Sequence, residues 1–122
     1  MNTNIALLFL RVSFSLFLLA LHGVPKIQNL MSDNIQFADI FGMGVTLSLV
    51  LATIIEVVLP ILIIIGYKTR IASIPIILTM LVAAFVYHAN DPIGVKEKSL
   101  LFMCGFITIA LAGAGKYSID KK

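Results

Sequence analysis

The sequence predicts an all-α protein, an integral membrane four-helix bundle with both termini in the cytoplasm. Of its 122 residues, 60% are hydrophobic and only 12% are charged, a composition outside the range of soluble domains. The apolar residues fall in four blocks, residues 5–24, 44–65, 71–90 and 99–115. A helix needs roughly 17–25 mostly apolar residues to cross the hydrocarbon core, so each block is long enough for one span.

Two other interpretations of these blocks are weaker. The helices of a globular all-α core would have a polar outer face, and none of the four blocks shows one. A cleaved signal peptide would begin with basic residues, whereas Met1–Asn4 contains neither Lys nor Arg, and Leu19–Gly23 offers no small-x-small cleavage site. We therefore expect the first block to be a retained span and residues 1–122 to form a single transmembrane domain.

Basic residues are unevenly distributed between the two sides of this expected bundle. The side with both termini carries five of them: Lys68, Arg70, Lys116, Lys121 and Lys122. The opposite side carries three: Lys26, Lys96 and Lys98. Because basic residues resist translocation, the bias predicts cytoplasmic termini. The same bias accounts for the net charge of +3. The sequence contains no cluster of Lys and Arg with interleaved aromatic residues, so it gives no indication of nucleic-acid binding.

Arg11 and Glu56 each interrupt an apolar run long enough to cross a bilayer. Intramembrane charges usually pair with one another or line a functional cavity. At 1.5 Å per residue, the two side chains lie about 9 and 13 Å from the same surface, so we expect an ion pair between them in the bundle interior. Pro60 removes the backbone hydrogen bond to the Glu56 carbonyl, which predicts a kink beside the carboxylate. Such a pair either fixes helix packing or takes part in chemistry.

Helical phase, at about 100° per residue, gathers polar residues onto one face of two spans. The stripe on the first span consists of Arg11, Ser15, His22 and Lys26, and the milder stripe on the fourth consists of Glu97, Cys104, Thr108 and Gly115. Because lipid cannot satisfy polar groups, both faces should turn into the bundle. Cys104 is then a small packing residue. As the single cysteine, it allows neither an intrachain disulfide nor C-x-x-C chemistry.

A cluster of polar residues is expected at the outer mouth of the bundle: His22, Lys26, His88, Asp91 and Glu97. These side chains are suited to exchanging protons or holding a polar head group, and the alternative is that they are ordinary interfacial residues. No H-E-x-x-H or comparable spacing indicates a metal site. The first span is expected to end at Gly23-Val24-Pro25, and a short interfacial helix is expected within residues 26–43.

In the order and spacing of its motifs, the chain resembles the DoxX family of small bacterial membrane proteins. The resemblance rests first on Leu10-Arg11, His22-Gly23, Lys26 and Glu56. It continues with Gly66-Tyr67-Lys68-Thr69-Arg70, His88, Glu97 and the closing Gly113-Ala114-Gly115-Lys116-Tyr117-Ser118-Ile119-Asp120. The resemblance implies a multi-pass protein of the bacterial inner membrane. Many family members are loosely described as oxidoreductases without a known substrate.

The leading functional hypothesis is a quinone- or quinol-binding subunit of a membrane redox complex. Its candidate ligand-binding residues are Arg11, His22, Lys26, Glu56, His88 and Glu97. No cofactor is expected within the chain other than a bound quinone, because it lacks Cys clusters, paired in-membrane His and G-x-G-x-x-G. The expected partners are the lipid bilayer, redox proteins and a second copy of the chain. The alternatives are a non-enzymatic assembly or stress-related protein and a small-solute or proton-coupled transporter.

Overall fold

The computed structural model describes residues 2–121, and within that range the protein is all-α with four long helices and no strand. Two residues used in the sequence analysis lie outside the described residues: Met1, in the signal-peptide argument, and Lys122, among the counted basic residues. The helices are α1 (Thr3–Leu30), α2 (Val45–Ile65), α3 (Thr69–Tyr87) and α4 (Ile93–Ala112). Residues 31–44 between α1 and α2 contain one 3-10 turn, Ile40–Gly42, in place of the expected interfacial helix.

The four helices form a ring in which consecutive helices are neighbours. Both α1 and α3 pack against α2 and α4, and the contact between α3 and α4 is the most extensive. The apolar residues that fill the centre are Leu18, Ile63, Ala72, Ile76, Met80, Phe106 and Ile109. Gly105 of α4 is needed for this packing, because a Cβ there would overlap the ring of Phe14 on α1.

Three of the helices, α1, α2 and α3, are long and apolar enough to cross a bilayer. The fourth, α4, is 20 residues long, but every 18-residue stretch of it contains Lys96, Glu97 and Lys98. These charges are confined to its first turns, and the remainder up to Ala112 is apolar apart from Ser99, Cys104 and Thr108. The structure therefore confirms the all-α architecture and provides three clear candidate spans.

A π-helical turn interrupts α1 and α2, and another forms the end of α3. The turns are Leu19–Gly23 in α1, Ile54–Val58 in α2 and Ala83–Tyr87 in α3. The prediction that the first span ends at Gly23-Val24-Pro25 is wrong, since α1 continues to Leu30. The wider turn bonds the Val24 N–H to the Leu19 carbonyl and leaves Pro25 in the first turn of the next α-helical segment, where its missing N–H is tolerated.

The two ends of the ring differ in how the chain closes them. We call the end formed by Thr3, Ile65, Thr69 and Ala112 the termini end, and the end formed by residues 31–44 and 88–92 the connection end. At the termini end, residues 113–121 fold back over the helix ends, and the Lys116 N–H donates to Asn4 Oδ1 at 3.1 Å. Both ends of the described chain therefore lie on the same side of the ring.

Candidate ligand-binding cavity

Arg11 does not pair with Glu56, so that prediction is wrong. The Arg11 guanidinium is almost fully buried and donates to backbone carbonyls instead. Its Nε lies 3.1 Å from the Ala114 oxygen and one terminal nitrogen lies 3.0 Å from the Ile63 oxygen. The same nitrogen also donates to the Ile64 oxygen, and the other terminal nitrogen donates to the Tyr117 oxygen. Backbone carbonyls thus satisfy the guanidinium.

The acceptors are available to Arg11 because two helices end beside it. The last four carbonyls of a helix have no intrahelical partner, and Ile63 and Ile64 lie in the last turn of α2, which stops at Gly66 in the left-handed region (φ 75°). Ala114 and Tyr117 lie beyond the end of α4. A cation at the carboxyl end of a helix is also favoured by the helix dipole. Arg11 therefore joins α1, α2 and the C-terminal segment.

Two of the sequence motifs meet at this same end. The Asp120 carboxylate accepts from the backbone N–H groups of Lys68 and Thr69, both at 2.8 Å, and so caps the start of α3. The Asp120 N–H in turn donates to the Gly66 carbonyl at 2.8 Å. A Cβ at Gly66 would overlap Ser118. The Gly66–Arg70 turn and the closing segment therefore pack on each other, with Arg11 beneath them.

Glu56 pairs with Lys26, which lies on the same polar stripe of α1 as Arg11. The Lys26 Nζ contacts Glu56 Oε2, and the two side chains are 18% and 5% exposed. Glu56 is nine residues from the end of α2, about 13 Å at the helical rise, and is far from the carbonyls that Arg11 occupies. Between the two helices, Gly23 lies against the Glu56 carbonyl, and the residue that would be its α-helical donor is Pro60, which has no N–H.

The Lys26–Glu56 pair faces a cavity of about 740 Å³ between α1, α2 and α3. Most of its wall is apolar. The polar side chains that line it are His22, Lys26, Ser48, Glu56, Thr79, Tyr87, His88 and Ser99. Four of the six candidate ligand residues, His22, Lys26, Glu56 and His88, are therefore brought together on one cavity.

The hydroxyl groups of Ser48, Thr79 and Tyr87 line the cavity but were not anticipated. Single hydroxyls within apolar runs give no usable signal, because most bond to their own helix. Ser48 Oγ donates to the Gly44 carbonyl at 2.6 Å and Thr79 Oγ1 to the Pro75 carbonyl at 2.8 Å. Tyr87 lies at the end of an apolar block, where aromatic residues are common because their amphipathic rings favour the membrane–water interface.

Residues 37–43 of the connection cover the cavity, and we call this segment the roof. The Tyr87 hydroxyl donates to the Asp39 carbonyl at 3.2 Å, and the Ile40 N–H donates to Ser48 Oγ at 2.9 Å. The Lys26 ammonium lies 5.9 Å from the centre of the Phe37 ring, a cation–π contact. These contacts attach the roof to α1, α2 and α3.

The two histidines have different surroundings. The His22 ring lies edge-on to Phe102, with centroids 5.4 Å apart, so α4 packs against it on one side. His88 Nδ1 lies 2.8 Å from Asp91 Oδ2, and both side chains are more than 40% exposed. His22 is therefore the deeper imidazole, and His88 is the one at the mouth.

Three of the four residues in the polar stripe predicted on the fourth span do not face the bundle, contrary to expectation, whereas the fourth, Gly115, is buried beyond the end of α4. Glu97, Cys104 and Thr108 are all exposed on α4, so Cys104 is not an interior packing residue. Thr108 Oγ1 donates to the Cys104 carbonyl at 2.9 Å, which satisfies the hydroxyl within its own helix. Glu97 lies near the connection end, lining a shallow depression of about 360 Å³ that does not include the histidines. Of the six candidates, Arg11 and Glu97 lie off the cavity.

The described residues thus form an apolar helical bundle with a buried ion pair on the wall of a cavity, an organisation that fits a helical membrane protein. The DoxX family model matches residues 6–89, and the chain belongs to the DoxX family. The matched region covers α1 to α3 and every polar cavity residue except Ser99, while Glu97 and the closing segment lie beyond it. No curated protein and no solved structure matches the chain significantly. The family membership and the apolar helices together identify the chain as a membrane protein.

Proposed function

We propose that this protein binds a quinone or quinol in the cavity, as the membrane subunit of a redox complex in the bacterial inner membrane. The observation that supports this most is the buried Lys26–Glu56 pair on the cavity wall beside His22. Ligand sites are commonly about 300–1,000 Å³, mostly apolar, with a few polar groups that orient the ligand. The cavity of about 740 Å³ has that size and character.

Charge balance favours an uncharged head group. Lys26 and Glu56 neutralise each other, and the remaining polar lining groups are hydroxyls and imidazoles. An anionic head group would have to compete with Glu56 for Lys26, and doing so would leave a buried carboxylate unpaired. A quinone carbonyl needs only a hydrogen-bond donor, which Lys26 or a histidine provides.

The reaction at such a site couples electrons to protons. Reduction of a quinone to a quinol consumes both, and the electrons would come from a partner protein that carries a redox centre. Protons would pass through His22 and His88, because imidazole exchanges protons near neutral pH. His88, paired with Asp91 at the mouth, is placed to exchange with the aqueous surface, while His22 lies closer to the Lys26–Glu56 pair.

The membrane arrangement that fits this site has four spans in a single domain, residues 1–122, with cytoplasmic termini. Because α4 packs along α1 and α3 and returns the chain to Asn4, it must cross wherever α1 and α3 do. The five-to-three bias of basic residues then favours a cytoplasmic position for the termini end. Lys96, Glu97 and Lys98 lie at the connection end, near the opposite surface.

Quinone titration of the purified protein in nanodiscs tests the proposal. Binding should saturate, and His22→Ala or Lys26→Met should weaken it about tenfold, the loss expected for a hydrogen bond to a charged or buried group. Glu97→Gln is the matched control, because Glu97 lies off the cavity. If correctly folded protein shows no saturable binding, the redox-subunit proposal fails and the non-enzymatic assembly alternative takes its place.

That second candidate function has its own support. Arg11, the Gly66–Arg70 turn and the closing segment form a purely structural junction, so much of the motif pattern serves packing. A transporter is less well supported. The core on the termini side of the cavity is formed mainly by the fully buried apolar residues Leu18, Ile63 and Phe106, beside the buried hydroxyl groups of Ser15 and Ser73. Solute uptake by proteoliposomes would favour the transporter instead.

A further inference from the structure

The contact between α2 and α3 is most extensive in the half of the bundle near the termini end. There, Leu59–Ile65 and Ile54–Val58 pack against Thr69–Val82. The first part of α2, Val45–Thr53, instead packs against Val24–Leu30 of α1. The two helices are therefore adjacent at one end and separated at the other, and the cavity occupies the gap.

The sequence explains why α2 changes neighbours. Pro60 removes one intrahelical hydrogen bond, and the π-helical turn Ile54–Val58 immediately precedes it. Prolines and π-helical turns are the usual causes of a bend in a helix. On the facing helix, Pro75 lines the cavity at the level where the separation begins. The contact of Val45–Thr53 with Val24–Leu30 of α1 is the arrangement that a bend at this point produces.

Two exposed leucines mark the edges of this gap. Leu51 on α2 and Leu78 on α3 both line the cavity, and they are 41% and 55% exposed. Leu78 is nine residues from the start of α3, about 14 Å, and Leu51 is fourteen residues from the end of α2, about 21 Å, at 1.5 Å per residue. The hydrocarbon core is about 30 Å thick, so both leucines lie at the depth of acyl chains.

We propose that the cavity opens sideways to the bilayer between Leu51 and Leu78 and receives its ligand from the lipid phase. The inference rests on the proposed function and adds to it the class of ligand and its route. The ligand is a membrane-dissolved amphiphile whose uncharged head lies against Lys26 and Glu56, while its apolar tail remains in the opening. On the aqueous side the roof lines the cavity beside the exposed His88 and is attached through Asp39 and Ile40.

One test blocks the opening and compares ligands with and without a tail. The chain has no tryptophan, so each introduced tryptophan is a unique fluorophore. Leu78→Trp places a bulky ring in the opening, and Ile74→Trp is its control, an exposed position one turn earlier on α3 that does not line the cavity. We would measure the binding of two benzoquinones in nanodiscs, one with a ten-carbon alkyl tail and one without a tail. The quinone concentration is expressed per mole of lipid.

The tailed quinone should bind at least tenfold more tightly than the tail-less one, and Leu78→Trp should slow its association at least tenfold while Ile74→Trp leaves it unchanged. Equal affinities, or parental association rates in Leu78→Trp, would overturn the lateral route while leaving quinone binding intact. Failure of both quinones to bind would count against the proposed function instead.

A second measurement tests the opening without any quinone. Met80 is buried and lines the cavity, whereas Phe106 is buried in the core away from it. In lipids with brominated acyl chains, the tryptophan of Met80→Trp should be quenched strongly and that of Phe106→Trp only weakly, in variants shown to be folded by circular dichroism. If both tryptophans were equally protected from quenching, the acyl chains would not reach the cavity. That result would contradict the lateral opening.

Discussion

Gly23 of α1 lies directly against the backbone carbonyl of Glu56 on α2, so closely that a Cβ at position 23 would overlap the carbonyl oxygen. The contact brings two irregular segments together, the π-helical turn that ends at Gly23 and the one that contains Glu56. It also sets the distance across which Lys26, three residues further along α1, reaches the Glu56 carboxylate. The geometry of the ion pair therefore depends on a glycine.

Gly23→Ala should destabilise the protein by about 1–3 kcal/mol, the usual effect of forcing an extra methyl group into a packed interface. The neighbouring atom is backbone and cannot rotate away. Gly94→Ala is the matched control, since a Cβ there would meet nothing within 4 Å. Thermal unfolding in detergent should show a lower Tm for Gly23→Ala only, and equal Tm values would mean that α1 and α2 separate without penalty.

The Lys26–Glu56 pair should show strong energetic coupling in a double-mutant cycle. Removing one partner of a buried pair leaves the other charge uncompensated and typically costs about 3–5 kcal/mol. We therefore expect Lys26→Met and Glu56→Gln each to lower the free energy of unfolding substantially. The double variant should lose clearly less than the sum of the two.

Charge exchange distinguishes this pair from the one expected from the sequence. Lys26→Glu with Glu56→Lys should recover part of the stability lost in either single variant, because the opposite charges remain in contact. Arg11→Glu with Glu56→Arg should recover none, since Arg11 bonds to carbonyls. Recovery in the second pair of variants would contradict the observed geometry.

The error over Arg11 shows what helical phase and depth can predict. They correctly placed Arg11, Ser15, His22 and Lys26 on one inward face of α1, with Arg11 and Ser15 buried and His22 and Lys26 on the cavity. They do not reveal backbone acceptors, which arose here from the helix ends beside Gly66 and Gly113. Nor do they account for hydroxyls satisfied within their own helix, as at Thr108 on α4, which is exposed although its stripe is predicted to face inward.

Arg11→Lys should release the C-terminal segment from the helix ends. An ammonium group has three donors and lacks the planar fork of a guanidinium, so it cannot reach carbonyls on both α2 and the closing segment. Each buried carbonyl left without a donor costs about 1–3 kcal/mol. Trypsin should then cut after Lys116 faster than in the parent protein, measured by mass spectrometry of the folded protein over time.

Arg70→Lys is the control for this experiment, because Arg70 is exposed and the change conserves both charge and the trypsin site. Its cleavage after Lys116 should match that of the parent. Asp120→Ala should resemble Arg11→Lys in part, since it removes the cap of α3 and one attachment of the segment. Unchanged cleavage in both variants would mean that the segment is held by other contacts.

The number of spans and their orientation are tested together by reporter fusions. With four spans and cytoplasmic termini, fusions at Asn34 and Asp91 should report the periplasmic side. Fusions at Lys68 and after residue 122 should report the cytoplasm. The fourth crossing is the critical one, because the charges at Lys96–Lys98 make α4 less apolar than the other helices.

The structure gives a physical reason to expect that crossing. The segment after α4 bonds to Asn4 at the start of α1 and to Gly66 at the end of α2, so the C-terminus must lie at the same surface as the α2–α3 turn. Opposite signals from Lys68 and the C-terminus would break this relationship and leave α4 outside the bilayer. A periplasmic signal at Lys68 with a matching C-terminal signal would invert the bundle but preserve its four spans.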